Sequence, residues 1–270
     1  MSPSRAAVSI LAHRGFAAPS GTGQENTLAA FTRALEAGAD ILESDVRVTA
    51  DGHAVLLHDE DFLPAGSDTP RTLATLRLDE LAGLPLPDGE TVPSLAAALA
   101  AFPSAHWNLD VKEAAAEQAI ASAVLSAGAA DRVLISSFSR GRRRRTLSSI
   151  GPGAKTSGSV PESAAILLAA ALGCTRLLGR LTRSLHAVQL PETGFAGRLL
   201  TPRVISRILA TGTEVHLWTV NDPERLRFWI AAGATGLITD RSDLAVTARA
   251  EADDAAARAS TDRPLCEPGQ

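Results

Sequence analysis

The chain has 270 residues, 45% of them hydrophobic and 21% charged, which is enough apolar material for a sizeable core and too much for a chain disordered throughout. A net charge of −4 excludes a general basic field that would draw it to nucleic acid or an anionic membrane, so a bound anion needs a local site. Its two cysteines, Cys174 and Cys266, are too few for a disulfide framework or a Cys-based metal cluster.

Short β-branched runs alternate with Ala/Leu-rich stretches, the pattern of a wound parallel sheet. Residues 8–12 read as a first strand. Leu28, Phe31, Ala34 and Leu35 then fall at helical spacing within 26–37, stopped by Gly38, and 41–46 begins a second strand. A short run at 54–57 extends that strand as a hairpin. The next strands are 107–111, 133–136, 155–159, 187–190, 215–220 and 236–239. Helices at 94–101, 114–127, 142–150, 162–178, 202–210 and 223–232 separate most of them. Eight principal strands suit a TIM (β/α)8 barrel over 1–250, with a doubly wound open sheet as the structural rival.

The segment 59–92, rich in Pro, Gly and Asp with a helical patch at 73–84, is an insertion after the second strand. Loops of that length usually shape a binding site. From Glu251 the apolar period ends, which predicts a frayed helix running into a disordered tail over 251–270. The apolar run at 6–12 is short for a signal-peptide core and lacks a cleavage site, and 164–172 falls below the ~20 residues of a membrane span. The expectation is a cytoplasmic protein without stable membrane association, in which 164–172 is a buried helix.

Strand parity isolates the chemistry. Residues two apart share a face, so Glu43 and Asp45 point the same way at the C-terminal end of the second strand. Two neighbouring carboxylates cannot both stay ionised cheaply without a cation. Asn108, Asp110 and Lys112 share a face at the end of another strand, with Leu109 and Val111 opposite. Lysine occurs only at Lys112 and Lys155, and a compact ammonium there suits a phosphate oxygen or an ion pair with Asp110.

His13-Arg14 follows the first strand and His58-Asp59 follows 54–57, so each His sits at a strand end. Two histidines beside three carboxylates can supply an acid and a base near neutral pH, and Arg14 offers a fork for phosphate oxygens. The other four histidines read as structural, with His216 sharing a face with Trp218 one layer deeper. The basic run Arg142 to Arg145 reads as a solvated helix face, and Trp107 and Trp229 as core packing.

These residues resemble the glycerophosphodiester phosphodiesterases. The matching text is Ala12-His13-Arg14-Gly15, Glu25-Asn26-Thr27-Leu28-Ala29-Ala30-Phe31, Gly38-Ala39-Asp40, Glu43, Asp45, Asp51-Gly52 and His58-Asp59. It continues with Asp110-Val111-Lys112, Ser137-Phe138, Leu217-Trp218-Thr219-Val220-Asn221 and Gly236-Leu237-Ile238-Thr239-Asp240. The resemblance implies a TIM barrel that uses one divalent cation, Ca²⁺ or Mg²⁺, to hydrolyse small-molecule glycerophosphodiesters to glycerol 3-phosphate and an alcohol.

Carried over by position, the resemblance makes Glu43, Asp45 and Asp110 the metal ligands and His13 and His58 the acid/base pair. Arg14 and Lys112 would hold the phosphate, Asn26 and Trp218 would contact substrate, and Glu25 would support the site. Asp110 stands where many members have Glu, and Gln189 replaces another polar residue near the end of the sixth strand. Two alternatives remain: a lysophospholipase D-like enzyme with an apolar collar drawn from Leu57, Phe62, Leu63, Leu73, Leu76, Leu84 and Leu86 at the insertion, and a non-catalytic phosphodiester-binding barrel.

Overall fold

Eight parallel strands form a ring in this computed structural model, which describes residues 8–17 and 24–261. They are β1 (Ser9–Ala12), β2 (Ile41–Val48), β3 (His106–Val111), β4 (Val133–Ser136), β5 (Lys155–Thr156), β6 (Ala187–Pro191), β7 (Glu214–Trp218) and β8 (Gly236–Thr239). Their spatial order is β5-β4-β3-β2-β1-β8-β7-β6, the sequential winding of a (β/α)8 barrel rather than an open doubly wound sheet. Between β5 and β6 the ring is stitched by a single bridge, Ser157 to Ala187. Two backbone hydrogen bonds flank it, His186 N–H to the Thr156 carbonyl at 2.8 Å and Gly158 N–H to the Ala187 carbonyl at 3.1 Å.

Helices cover the outside: α1 (Leu28–Glu36), α2 (Leu95–Ala101), α3 (Ala116–Ser126), α4 (Arg140–Ile150), α5 (Val160–Leu172), α6 (Thr175–Thr182), α7 (Gly194–Leu199), α8 (Pro202–Leu209), α9 (Pro223–Ala232) and α10 (Ser242–Thr261). Their starts are set by side-chain caps. The hydroxyls of Thr27, Ser94 and Thr201 and the carboxylate of Asp222 accept first-turn N–H groups. The main core lies between ring and helices, built from outward strand residues such as Ile10, Leu42, Val46, Leu109 and Leu217.

Several boundaries differ from the sequence expectation. The helix expected at 162–178 is two, α5 and α6, because Gly173 adopts φ +75° and closes α5 with a left-handed cap. Helix α7 escapes a periodicity reading because glycines occupy two of its six positions. From Glu251 to Thr261 the chain is helical, the last half of α10, and 262–270 lie outside the described residues.

The insertion forms a small body of its own. A two-stranded antiparallel ribbon (Asp61–Phe62 with Arg71–Thr72) and a short helix (Leu78–Ala82) enclose Phe62, Leu73, Leu76, Leu81 and Leu86 against Val55. Four of the apolar side chains expected to collar the mouth, Phe62, Leu73, Leu76 and Leu86, are thereby buried in a second core.

Candidate active site

Inward-facing residues occupy two levels of the barrel. The lower level holds Leu11, Ile41, Asn108, Leu134 and His216, and the upper level holds Glu43, Asp110, Ser136, Trp218 and Ile238. His216 fits at the barrel centre only because its register partner is Gly236, where a Cβ would lie 2.5 Å from the imidazole ring. Gln189 braces the lower level, donating to the Asn108 amide oxygen at 3.2 Å and lying 3.5 Å from His216 Nδ1.

Above them a cavity of about 640 Å³ opens at the C-terminal strand ends, lined on its polar side by His13, Arg14, Glu43, Asp45, His58, Asp110 and Lys112. The β2–β3 register explains the carboxylate cluster: Glu43 pairs with Asn108 and Asp45 with Asp110, so two strand ends present adjacent acids. Lys112 bridges them, its Nζ 2.7 Å from Asp45 Oδ1 and 2.8 Å from Asp110 Oδ2. Arg14 Nε stands 2.9 Å from Asp45 Oδ2 in an ion pair without hydrogen-bond alignment, while its Nη1 donates to Glu25 Oε1 at 2.8 Å.

Burial disfavours charge on Asp45, but Lys112 and Arg14 outweigh it and hold the carboxyl below the ordinary range. Glu43 has no such partner. Burial and the neighbouring Asp45 push it up to about 7, against weaker opposing help from His13 and the Arg14 N–H.

Each candidate catalytic histidine carries a carboxylate on Nδ1. His13 lies 2.7 Å from Asp240 Oδ1, and Asp240 in turn accepts from Asn221 Nδ2 at 2.6 Å. His58 lies 2.7 Å from Asp59 Oδ1, with its backbone carbonyl accepting from Arg47 Nε at 2.8 Å. A proton held on Nδ1 leaves Nε2 for chemistry in the cavity. Burial works against a second proton on His13, but the Asp240 hydrogen bond and the Glu43 charge more than offset it and raise its pKa.

Asn26 and Glu25 do not line the cavity. Asn26, at φ 58°, is buried under β2, where it accepts from the Ser44 hydroxyl at 2.6 Å and donates to Asp45 Oδ2 at 3.4 Å. It supports a carboxylate where the sequence reading set it against substrate. Among the described residues, the insertion 59–92 lines none of the cavity and meets a lining residue through the Asp59 contact to His58. Sequence reasoning gave no site role to Asp59, Asp240 or Asn221. The signals were the His58-Asp59 adjacency and the adjacency of β1 and β8, which brings the Asp after β8 beside the His after β1.

The donor chemistry fits a hard divalent cation: three buried carboxylates converge, and Asp110 Oδ1 is buried without a hydrogen-bond partner. Among the described residues no three His, Cys, Asp or Glu stand close enough to chelate an ion as they are. Lys112 supplies the positive charge between Asp45 and Asp110.

The model of the glycerophosphoryl diester phosphodiesterase family matches residues 13–244, from the first histidine of the cavity into α10. The chain belongs to this family. Among its phosphodiesterase relatives, a protein of Mycobacterium tuberculosis named probable glycerophosphodiester phosphodiesterase 2 is 34% identical over 234 residues, covering 87% of this chain and 88% of the relative. The crystal structure of a glycerophosphodiester phosphodiesterase from Agrobacterium tumefaciens superposes with a TM-score of 0.71 at 24% identity, covering 89% of this chain and 99% of the other. An Oleispira antarctica phosphodiesterase, solved in complex with the product sn-glycerol-3-phosphate, does so with a TM-score of 0.68 at 21% identity, covering 90% and 96%. The two solved structures share the barrel fold. Among the described residues no helix is long and apolar enough to cross a membrane.

Proposed function

We propose that this phosphodiesterase cleaves glycerophosphodiesters to glycerol 3-phosphate and an alcohol, with His13 and His58 moving the protons and Arg14 and Lys112 engaging the phosphate. The observation that carries this reading is the pair of histidine–carboxylate contacts, both at 2.7 Å, held by histidines that line one cavity with the buried acids. One imidazole Nε2 takes the proton from the glycerol 2-hydroxyl as its oxygen bonds to phosphorus. The other gives a proton to the departing alcohol oxygen as the P–O bond breaks. Water then opens the resulting cyclic phosphate with the proton roles reversed. The product bound to the Oleispira relative is of the class this reading releases.

Glu43, Asp45 and Asp110 would hold one divalent cation, which when bound supplies charge for the phosphoryl oxygens as negative charge grows on them. Arg14 and Lys112, which here neutralise Asp45 and Asp110, would be free to engage the phosphate if a cation took over that neutralisation. A raised Glu43 pKa fits an acid whose charge awaits that compensation. Glycerol 3-phosphate release from glycerophosphocholine and glycerophosphoethanolamine, assayed with Ca²⁺, Mg²⁺ or chelator, tests the reading. Activity that survives chelation removes the cation, and no release from either substrate removes the reaction.

A further inference from the structure

Arg47 follows Glu43 and Asp45 on the same face of β2, yet it does not line the cavity. Its side chain is only 12% exposed, and none of the proton or phosphate roles falls to it. The hairpin sets its surroundings. The strand Ala54–Leu56 pairs antiparallel with β2, with Arg47 opposite Val55, and the pairing ends where the Leu57 N–H donates to the Asp45 carbonyl at 3.0 Å. His58 is the next residue, and the insertion begins directly after it.

The first carbonyl past the paired backbone is caught by a side chain. Arg47 Nε donates to the His58 carbonyl at 2.8 Å, where a further rung of the ladder would otherwise have been needed. Its Nη1 lies 3.6 Å from Glu60 Oε1 in the insertion and 3.7 Å from Glu113 Oε2 after β3. Glu113 is itself fixed, since its Oε1 accepts the Val48 N–H at 2.8 Å. One guanidinium thus joins the hairpin exit, the start of the insertion and the loop after β3. A planar fork suits this task better than an ammonium, because its nitrogens address separate partners at fixed angles.

The clamp supplies what the other contact of His58 does not. Asp59 orients the ring through Nδ1 at 2.7 Å, but its side chain is 77% exposed and it belongs to the insertion. That contact sets the tautomer without fixing where the ring stands relative to Glu43 and Asp45. The Arg47 bond does fix it, because its donor grows from the same strand as those acids, two residues past Asp45.

We infer that Arg47 is a positioning residue for His58, holding the histidine backbone against β2 so that the imidazole Nε2 stands within reach of the departing alcohol oxygen. The inference rests on the reading of His58 as the proton donor to that alcohol. An arginine that only stabilised the fold would serve every step alike, whereas this one serves the step that His58 performs.

Arg47→Met removes the donor and keeps much of the aliphatic stem. It should lower kcat on glycerophosphocholine by about 10- to 100-fold, the cost of displacing a reacting group by ~1 Å, with KM little changed. On a glycerophosphodiester of p-nitrophenol, whose oxygen leaves without a proton, the loss should all but disappear. Combined with His58→Ala, the change should cost almost nothing further, because the group it positions is gone. Arg47→Lys keeps the charge beside Glu60 and Glu113 and loses the fork. It should show the same pattern in milder form, and it carries the test if Arg47→Met does not fold. Where His58→Ala separates the two diesters, equal losses on both in the Arg47 variants overturn the inference, as do losses that add to those of His58→Ala. Where His58→Ala does not separate them, the leaving-alcohol role falls and additivity alone decides the clamp.

Nuclear magnetic resonance gives a readout apart from turnover. The His58 imidazole signal, assigned by its absence in His58→Ala, should shift in Arg47→Lys while the His13 signal stays in place. An unshifted His58 signal overturns the inference. If the parent protein cleaves neither diester, the phosphodiesterase reading falls and this signal decides the clamp by itself.

Discussion

Nδ1 of His13 lies 2.7 Å from Oδ1 of Asp240 although the two residues are 227 positions apart, because β1 and β8 are neighbours in the ring. The contact fixes which imidazole nitrogen is available and raises the pKa of the ring. Asp240→Asn should lower kcat by about 10²–10⁴, the range for mispositioning an acid/base histidine. Acting as a base, His13 must be neutral, so its raised pKa places the acidic limb of the kcat/KM profile above the ordinary imidazole value. Without the carboxylate that limb should move to lower pH, which a pH–rate profile of the variant reads directly. An unmoved limb would assign the titration to another group.

Lys112 shares its ammonium between Asp45 and Asp110, all three largely buried. Lys112→Met should destabilise the metal-free protein by about 2–4 kcal/mol, because it leaves neighbouring buried carboxylates without their counter-charge. Millimolar Mg²⁺ or Ca²⁺ should then raise the variant's Tm more than that of the parent, since the ion no longer competes with an ammonium. Equal metal-induced shifts in Tm would show that the ion binds elsewhere.

His58 should protonate the departing alcohol and His13 should act at the glycerol hydroxyl. His58→Ala is therefore expected to reduce kcat by about 10²–10⁴ on glycerophosphocholine and by far less on a glycerophosphodiester of p-nitrophenol, whose oxygen leaves without a proton. His13→Ala should be equally damaging on both. Reversal of this pattern in steady-state assays would exchange the two roles.

Gly236 has no room for a side chain beside His216, whose ring is also held at 2.9 Å by Glu214. Gly236→Ala should cost about 1–3 kcal/mol in a urea titration, the usual penalty for overpacking. Adding His216→Ala should recover part of that loss, and strict additivity of the two changes would refute the packing argument.

The ring and the polar side of its mouth were legible because strand parity has a fixed period. Glu43 and Asp45, and Asn108, Asp110 and Lys112, had to face together whatever the loops did. The partner of His13 was less accessible, since it depends on which strands become neighbours on closure. The resemblance implied a substrate contact for Asn26, which here lies at φ 58° beneath Asp45 and donates to its Oδ2. Residues 164–172 read as a buried helix. A run with hydrophobic residues on every face does not say which of them meets solvent, and Leu168 and Leu172 do.

The short stitch between β5 and β6 has a bearing on how the protein breathes. Two backbone hydrogen bonds close the ring there, whereas β2 and β3 are zipped over six residue pairs beneath the carboxylates. Amide exchange should therefore be fastest around Ser157, Gly158 and Ala187 and slowest in β2 and β3. The yielding seam lies between the segments that carry Val160 and Pro191, both of which line the cavity. The carboxylates thus sit on the firmly paired arc of the ring and the loosely paired arc lies elsewhere, so opening of the seam should leave the spacing of the acids unchanged.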